Sequence, residues 1–223
     1  MTLRAIVLTG LFCCIASADT VLLTLDPNFP TDYEFYSYTD TAGQAQSDIP
    51  VAPYITTLSG GSYNNALAYT FCYDLESPTS VGSAYPGTLE FLTDTATLES
   101  TYLLNQLNED GLMNASLAVR GAISLAIWQI MNPSSDTGVA NFPADPAAQP
   151  YITSAVNAVA TGAWNAADSA LYPTWVPNDP SIQRFGVVMN GETPAPEPAT
   201  VVIVGMVLIV LSYRRRTASR PLR

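Results

Sequence analysis

The sequence contains neither lysine nor histidine, and each absence excludes a class of chemistry. Histidine is the commonest general base and zinc ligand, so hydrolases with a histidine-containing triad and most zinc sites are excluded. The lysine-based isopeptide cross-links of many surface proteins are excluded as well. We assign no catalytic residue, metal site or cofactor from the sequence, and only a calcium site at the acidic surface stays open.

Positive charge is scarce before the C-terminal end of the chain. All 19 acidic residues lie between Asp19 and Glu197, where the only basic residues are two arginines, so this stretch has a formal charge of −17. A body this acidic repels nucleic acid and anionic lipid because it offers them no counter-charge. Nucleic acid is therefore excluded as a partner.

Residues 1–18 have the pattern of a secretory signal peptide. Arg4 precedes an apolar segment from Ala5 to Ile15, and small residues follow up to Ala18. We expect export by the Sec machinery and cleavage by signal peptidase after Ala18.

Cleavage would leave Cys72 as the only cysteine of the mature chain, because Cys13 and Cys14 would leave with the signal peptide. No internal disulfide could then form. A single thiol in an exported protein is buried as a small hydrophobic group, pairs with another chain, or is used chemically. We expect burial, since cysteine is among the most often buried residue types.

An apolar segment from Thr200 to Tyr213 lies close to the C-terminus. As a helix it would be roughly 21 Å long, which is shorter than the roughly 30 Å hydrocarbon core of a bilayer. An interfacial tyrosine and snorkelling arginines can relieve this mismatch. We predict a short transmembrane helix at about 200–213, followed by a stop-transfer signal that holds this end on the cytoplasmic side. That signal consists of Arg214, Arg215 and Arg216.

A proline-spaced acidic residue precedes this segment, after a predicted linker at 191–195. The motif is Pro196, Glu197 and Pro198. Together with the apolar segment and the arginines, it resembles the PEP-CTERM sorting signal of bacteria, here residues 196–223. The resemblance implies that an exosortase recognises the tail in the inner membrane, and that the protein belongs to an exopolysaccharide-producing envelope or biofilm. The alternative is an ordinary single-pass anchor behind a proline-rich linker.

Between these ends, residues 19–190 predict one extracytoplasmic α+β domain. The chain has 223 residues, of which 48% are hydrophobic, so it can bury a sizeable core. Strand-like segments come first, in TVLLTLD, YEFYSYT, ALAYTFCYDLE and TLEFLT, with turn-rich stretches such as SGGSYNN between them. Helical segments and a last strand, SIQRFGVVMN, follow. We expect an antiparallel β-barrel or sandwich with a packed helical part.

The helical segments differ in how much of their surface is apolar. In TATLESTYLLNQLNEDG, the residues Leu98, Tyr102 and Leu103 are predicted to share one face of a helix. The segment NASLAVRGAISLAIWQIMNP is apolar nearly all round, which predicts a helix that is buried on most sides and stopped by Pro133. A third helix is predicted in PYITSAVNAVATG and ends at Gly162.

Two short motifs resemble those of thioester-domain surface proteins. They are AYTFCYDLE, which contains Cys72, and AISLAIWQI, on the second predicted helix. In that family the sulfur of the cysteine is joined to a glutamine side chain in a reactive internal thioester. The position that should hold this glutamine is Ser124, which has no amide carbonyl, and Gln129 lies roughly 140° further around the helix. We therefore expect the fold of that family without its cross-link, with Cys72 and Ser124 as degenerate thioester positions.

Two carboxylates, Asp74 and Glu76, are two positions apart at the end of a predicted strand. On a strand they would point to the same side and could act as a pair in the hydrolysis of a polysaccharide. The alternative is a purely structural role, in which the residues belong to a solvated face or Asp74 caps a turn, and we expect that alternative.

Taken together, these patterns predict an exported, exosortase-sorted protein of the cell surface or extracellular matrix, with a structural or adhesive role and no catalysis. Its precursor would be anchored in the inner membrane. Two alternatives stay open, namely a covalent adhesin with a thioester at Cys72 and a secreted carbohydrate-active hydrolase.

Overall fold

A computed structural model describes residues 20–26, 34–39, 42–51, 53–74, 77, 79–109, 114–133 and 146–189. These residues all belong to one unit, Asp19–Ala195. The predicted signal peptide, sorting motif, transmembrane helix and arginines lie outside the described residues, as does Glu76. No helix within those ranges is both long enough and apolar enough to cross a membrane.

Six antiparallel strands close into a barrel, and two further strands form a separate small sheet. In chain order the strands are β1 (Val21–Leu25), β2 (Glu34–Thr39), β3 (Ala45–Val51), β4 (Tyr54–Gly60), β5 (Tyr63–Cys72), β6 (Ala84–Glu90), β7 (Thr174–Pro177) and β8 (Phe185–Met189). The order around the barrel is β1-β4-β5-β8-β7-β6, and β2 pairs with β3. The predicted α+β class with an antiparallel barrel is confirmed.

The barrel interior is filled by alternate residues of its strands. In β1, the side chains of Val21, Leu23 and Leu25 are buried, whereas Leu22 between them is 39% exposed. This alternation is what a strand with one face toward the core requires. Trp175 of β7 is also fully buried, and its indole nitrogen donates to the backbone oxygen of Val21 at 3.2 Å.

Four helices are described, three of them long. They are α1 (Thr95–Glu109), α2 (Leu117–Met131), α3 (Gln149–Ala160) and the single turn α4 (Ala166–Ser169). The long helices pack against one another, and α2 also contacts β2, β3 and β5 while α1 contacts β8. The helical part therefore forms one core with the barrel.

The face predicted on α1 packs against the core, although its three residues are buried to different degrees. Leu103 is buried, whereas Leu98 and Tyr102 are half-buried. The hydroxyl of Tyr102 lies 3.0 Å from that of Ser154 on α3, which keeps its polar end near the surface. The remaining buried residues of α1 are Thr97, Ser100, Thr101, Leu104 and Leu107. The threonine hydroxyls on this face have partners, as when Trp164 donates to Thr101 at 3.1 Å, whereas the hydroxyl of Ser100 makes no hydrogen bond within the described residues.

Burial of α2 on most sides is confirmed. Every residue from Arg120 to Trp128 is buried, because α1, α3 and the small sheet surround the helix. The helix begins after Ser116, whose hydroxyl accepts from the backbone nitrogen of Val119 at 3.3 Å.

One boundary prediction is wrong: TLEFLT is not a strand in full, since β6 ends at Glu90.

Candidate functional site around Cys72

The site forms where the end of β5 lies beside the start of β8. Cys72 is the last residue of β5 and is paired with Phe185, the first residue of β8. The backbone nitrogen of Tyr73 then donates to the oxygen of Arg184 at 3.0 Å, which extends the pairing by one residue. Residues that are distant in the sequence therefore meet at this end of the barrel.

The thiol of Cys72 is buried and acts as a hydrogen-bond donor. The residue is 4% exposed, and its Sγ donates to the backbone oxygen of Asp74 at 3.2 Å. Burial raises the pKa of Cys72 to about 12, with hydrogen bonds from Trp128 and Gln183 opposing the shift only in part. At neutral pH the group is a protonated thiol, which is a weak nucleophile. The prediction of a buried thiol is confirmed.

A glutamine lies beside this thiol, at a position that the sequence motifs did not indicate. Nε2 of Gln183 donates to the same backbone oxygen of Asp74 at 2.9 Å. The hydroxyl of Thr79 donates to Oε1 of Gln183 at 3.0 Å, so both ends of the amide are held. The nearest signal in the sequence was the last predicted strand, SIQRFGVVMN, which contains Gln183. Its proximity to Cys72 depends on the pairing of β5 with β8, which no local pattern reveals.

Ser124 and Gln129, both on α2, have different surroundings. Ser124 lies one turn before Trp128, whose side chain contacts the thiol of Cys72, and thus shares its helix face. The residue is 6% exposed, and its hydroxyl makes no hydrogen bond within the described part of the chain. Gln129 is engaged by α3, because its Oε1 accepts from Gln149 at 3.2 Å.

Asp74 is bound by both the backbone and the side chain of Arg184. The backbone nitrogen of Arg184 donates to Oδ2 at 2.8 Å, Nη2 donates to Oδ1 at 2.6 Å, and Nε lies 3.0 and 3.1 Å from the two oxygens. The hydrogen bond with Asp74 raises the pKa of Arg184 above its usual value, although partial burial opposes this. The carboxylate is therefore neutralised by a fixed cation.

The expected strand position of Asp74 is wrong. β5 ends at Cys72 and Asp74 lies beyond that end, so the strand alternation on which the proposed carboxylate pair depended does not extend to Asp74. The physical reason is that the carboxylate of Asp74 accepts the backbone N–H of Arg184, so a side chain takes the place of the next rung of the ladder. We expected a solvated face or a turn cap for Asp74, whereas its side chain is 21% exposed and forms an ion pair with Arg184 that the sequence did not predict.

The C-terminal end of α2 is attached to the barrel beside the thiol. Nδ2 of Asn132 donates to the backbone oxygen of Tyr73 at 2.6 Å and to that of Trp128 at 3.0 Å. The ring of Tyr73 is fully buried and lies against the backbone of Gly186. Burial raises the pKa of Tyr73 above its usual value, and Thr174 opposes this. Helix and barrel together exclude water from Cys72.

Alkaline pH should destabilise the fold through Cys72. Its pKa of about 12 in the folded state exceeds the value of 9.0 for an exposed thiol, so the unfolded chain loses this proton first as the pH rises. The stabilising contribution is complete below the lower pKa and is lost as the pH rises toward the higher one. Between about pH 8 and about pH 10, we expect the free energy of unfolding to fall by about 1.4 kcal/mol more in the wild type than in Cys72→Ala.

Urea unfolding followed by tryptophan fluorescence measures this difference, because Trp128, Trp164 and Trp175 are all buried. Ser124→Ala is the matched control, since it also removes a buried polar group near α2 but nothing that titrates. Its pH dependence should equal that of the wild type. The raised pKa would be contradicted if Cys72→Ala also followed the wild-type pH dependence.

The groups around Cys72 largely satisfy one another: a protonated thiol, an amide held at both ends, and a carboxylate paired with an arginine. Within the described ranges, no three Cys, Asp or Glu side chains come together as a metal site would require. Comparison of the chain with known protein families, with curated proteins and with solved structures found no match.

Proposed function

We propose that the chain is a non-enzymatic protein of the bacterial cell surface or extracellular matrix, exported and then sorted by its C-terminal tail. The observation that carries the proposal is the order of three features within residues 196–223. A Pro-Glu-Pro motif comes first, an apolar segment follows, and three arginines come directly after that segment. Residues 1–18 add the pattern of a signal peptide, so both ends of the chain fit one route.

Each part of the tail has a physical role in this route. Pro196 and Pro198 lack backbone N–H groups and favour an extended chain, which suits the groove of a processing enzyme. Glu197 between them supplies a charged group for recognition. The short apolar segment would hold the precursor in the inner membrane until an exosortase acts, while Arg214, Arg215 and Arg216 prevent its end from crossing.

The described body supports a structural or adhesive role. Its best candidate for an acid or base, Asp74, is held by Arg184 through the backbone and the side chain. Its thiol is protonated and enclosed. A carbohydrate-active hydrolase would need a carboxyl group such as that of Asp74 to be available to substrate, so we place that alternative last. Exopolysaccharide is proposed only as part of the surroundings of the sorted protein.

The intact mass of the protein recovered from its native cell surface tests the sorting. We expect a body that ends near Pro196 in the parent strain, and a tail retained through Arg223 in a strain that lacks the exosortase. Glu197→Ala should also retain the tail. Glu192→Ala is the matched control, because it removes an acid just upstream of the motif, and it should be processed normally.

The result that would overturn the sorting is a mass extending through Arg223 in both strains. The tail would then act as an ordinary membrane anchor. A processed Glu197→Ala protein would instead remove Glu197 from recognition and leave the apolar segment and arginines to explain the cut.

A covalent adhesin is the second candidate, and one contact favours it. The thiol of Cys72 and the amide of Gln183 donate to the same backbone oxygen of Asp74. Attack of the sulfur on Cδ of Gln183 would break its C–N bond and release ammonia, to which the thiol proton would pass. The raised pKa of Cys72 opposes this step, because the thiolate is the attacking form.

The same intact mass separates the two candidates. A non-covalent body should have the full mass of its sequence, whereas a thioester would lower it by one ammonia. A Gln183→Ala control would restore the full mass if the thioester existed. A deficit that persisted in Gln183→Ala would exclude Gln183 as the acyl donor.

A further inference from the structure

One motif of the described body takes no part in the contacts around Cys72. It is Asn114-Ala115-Ser116, which lies directly before α2. An asparagine followed at the second position by serine, with a residue other than proline between them, is the acceptor pattern for N-linked sugars in secreted proteins. Such sugars are bulky and lie at the protein surface. The motif is therefore a candidate modification site if its side chains are accessible.

Both polar residues of the motif are exposed. Asn114 lies in a turn, Ser116 follows in an extended conformation with a φ of −60° and a ψ of 155°, and only Ala115 between them is half-buried. The side chain of Asn114 makes no hydrogen bond within the described part of the chain. An asparagine that served only to shape the turn would bond to a neighbouring backbone group. The nitrogen Nδ2 of Asn114 is thus open to an enzyme.

The hydroxyl of Ser116 has one partner and can take a second. Its oxygen accepts from the backbone nitrogen of Val119 at 3.3 Å, which caps α2. Because the oxygen is the acceptor in this contact, the hydroxyl proton is still available to a transferase. The cap also keeps the motif outside the helix, so an enzyme can bind residues 114–116 without unwinding α2.

Asn132 is unsuitable for the same modification. It is followed by Pro133 and Ser134, and a proline in the middle position excludes the motif. Its Nδ2 is already bound, since it donates to the backbone oxygens of Tyr73 at 2.6 Å and Trp128 at 3.0 Å. No other asparagine of the sequence has serine or threonine at the second position after it. This leaves one candidate site, before α2.

We propose that Asn114 carries an N-linked sugar on the exported protein. The donor is a sugar attached through its anomeric carbon to a phosphate leaving group. A bond forms between that carbon and Nδ2 of Asn114, while the bond from the carbon to the phosphate oxygen breaks and the phosphate leaves with the bonding electrons. One proton passes from Nδ2 to a base of the transferase, and nothing is oxidised or reduced. The inference rests on the proposed export.

The sugar would lie far from the site around Cys72. α2 has 15 residues and is therefore roughly 22 Å long, with Asn114 before its first turn and Trp128 in its last turn. The sugar would add bulk and hydrogen-bonding groups to the surface at the first end of this helix. Its removal should leave the contacts of Cys72 unchanged.

The masses of tryptic fragments of the denatured native protein test the proposal. The chain has no lysine, so trypsin cuts only after arginine and divides the mature body into fragments 19–120, 121–184 and one that begins at Phe185. We expect fragment 19–120 to exceed its sequence mass by that of a sugar. Fragment 121–184, which contains Asn132, should match its sequence mass. The gain in mass distinguishes a sugar from a thioester, which would lower the mass.

Substitutions in the motif separate the modification from the folding of α2. Asn114→Gln should remove the added mass, because the motif requires asparagine. Ser116→Asp keeps a good N-cap for α2 but destroys the motif, so it should remove the added mass as well. Ser116→Thr is the matched control, because it preserves both the cap and the motif, and it should retain the sugar.

Two results would overturn the proposal: fragment 19–120 at its sequence mass in the wild type, or an added mass that persists in Asn114→Gln and Ser116→Asp. The same digest shows separately whether the proposed function fails. Without export and signal cleavage, the first fragment would begin at Ala5, and without sorting, the fragment that begins at Phe185 would retain the tail. A missing sugar on a chain that is cleaved at both ends would therefore count against the modification alone.

Discussion

Replacement of Gly186 by alanine should lower the free energy of unfolding by about 3 kcal/mol, the upper end of the usual cost of overpacking. A Cβ at this position would stand 2.6 Å from Cζ of Tyr73 and closer still to its hydroxyl oxygen. The ring of Tyr73 is fully buried, and the close packing of a protein interior opposes its displacement. Part of β8 would have to shift instead. This shift would disturb the pairing of β8 with β5 at Cys72.

The matched control is Gly82→Ala. Gly82 has nothing within 4 Å of the added Cβ and a φ of +78°, so its replacement meets backbone strain alone, which costs about 1 kcal/mol. Urea unfolding of both variants compares the two effects. In a double-mutant cycle with Tyr73→Ala, the effect of Gly186→Ala should shrink, because the atoms it meets are gone. Equal losses at the two glycines would contradict this account of the packing.

Asp74→Ala should lower the free energy of unfolding by about 2 kcal/mol, between the values typical of surface and buried ion pairs. The loss leaves both the guanidinium and the backbone N–H of Arg184 without the carboxylate that they bind. The pair is partly exposed, with side-chain exposures of 37% for Arg184 and 21% for Asp74, so water will replace some of the lost hydrogen bonds. This exposure sets the effect below that of a fully buried pair.

Asp74→Asn separates the contribution of the charge from that of the hydrogen bond to the backbone. Its amide keeps one oxygen for the backbone N–H of Arg184 but carries no charge. Its destabilisation should therefore be smaller than that of Asp74→Ala. Glu90→Ala is the control at an exposed carboxylate of the barrel and should change stability by less than about 0.5 kcal/mol. If Asp74→Ala cost no more than Glu90→Ala in urea unfolding, the contacts with Arg184 would have no role in stability.

The long helices were the most predictable elements, because their apolar periodicity and their ends are local features. α2 ends just before Pro133, as the sequence indicated, whereas its N-terminal cap at Ser116 was not predicted. The short α4 was missed, since one turn has no periodicity to detect. A signal was present all the same: Asn165 and Asp168 form a capping box three positions apart.

The strands β3, β4 and β7 were missed because their local patterns are ambiguous. Proline interrupts two of them, at Pro50 in β3 and at Pro177 in β7. In β4 a polar residue occupies the interior, where Thr56 is fully buried and donates to the backbone oxygen of Ala68 at 3.2 Å. A buried threonine masks the alternation on which strand prediction depends. Closure as a barrel, rather than a sandwich, depends on β1 pairing with both β4 and β6, which sequence spacing does not specify.

The site around Cys72 was predictable only in part, for the same reason. Burial of the thiol followed from the residue type and from the strand that contains it. Gln183 and Arg184 could not be placed beside it, because their positions follow from the pairing of β5 with β8. The motif on α2 directed attention to Ser124, while the glutamine that lies near the sulfur comes from the segment before the last strand.

The order of strands around the barrel has a consequence for the order in which the chain can fold, from its N-terminus onwards. β7 and β8 are the last elements of the described body, and together they join β6 to β5. Until they are available, the other four barrel strands can form at most an open sheet, with β5 and β6 as bare edges. Completion of the barrel is therefore a late, long-range step, and such steps are slow. A chain that cannot finish its barrel early keeps these two strand edges open for longer, and they are then its main risk of aggregation.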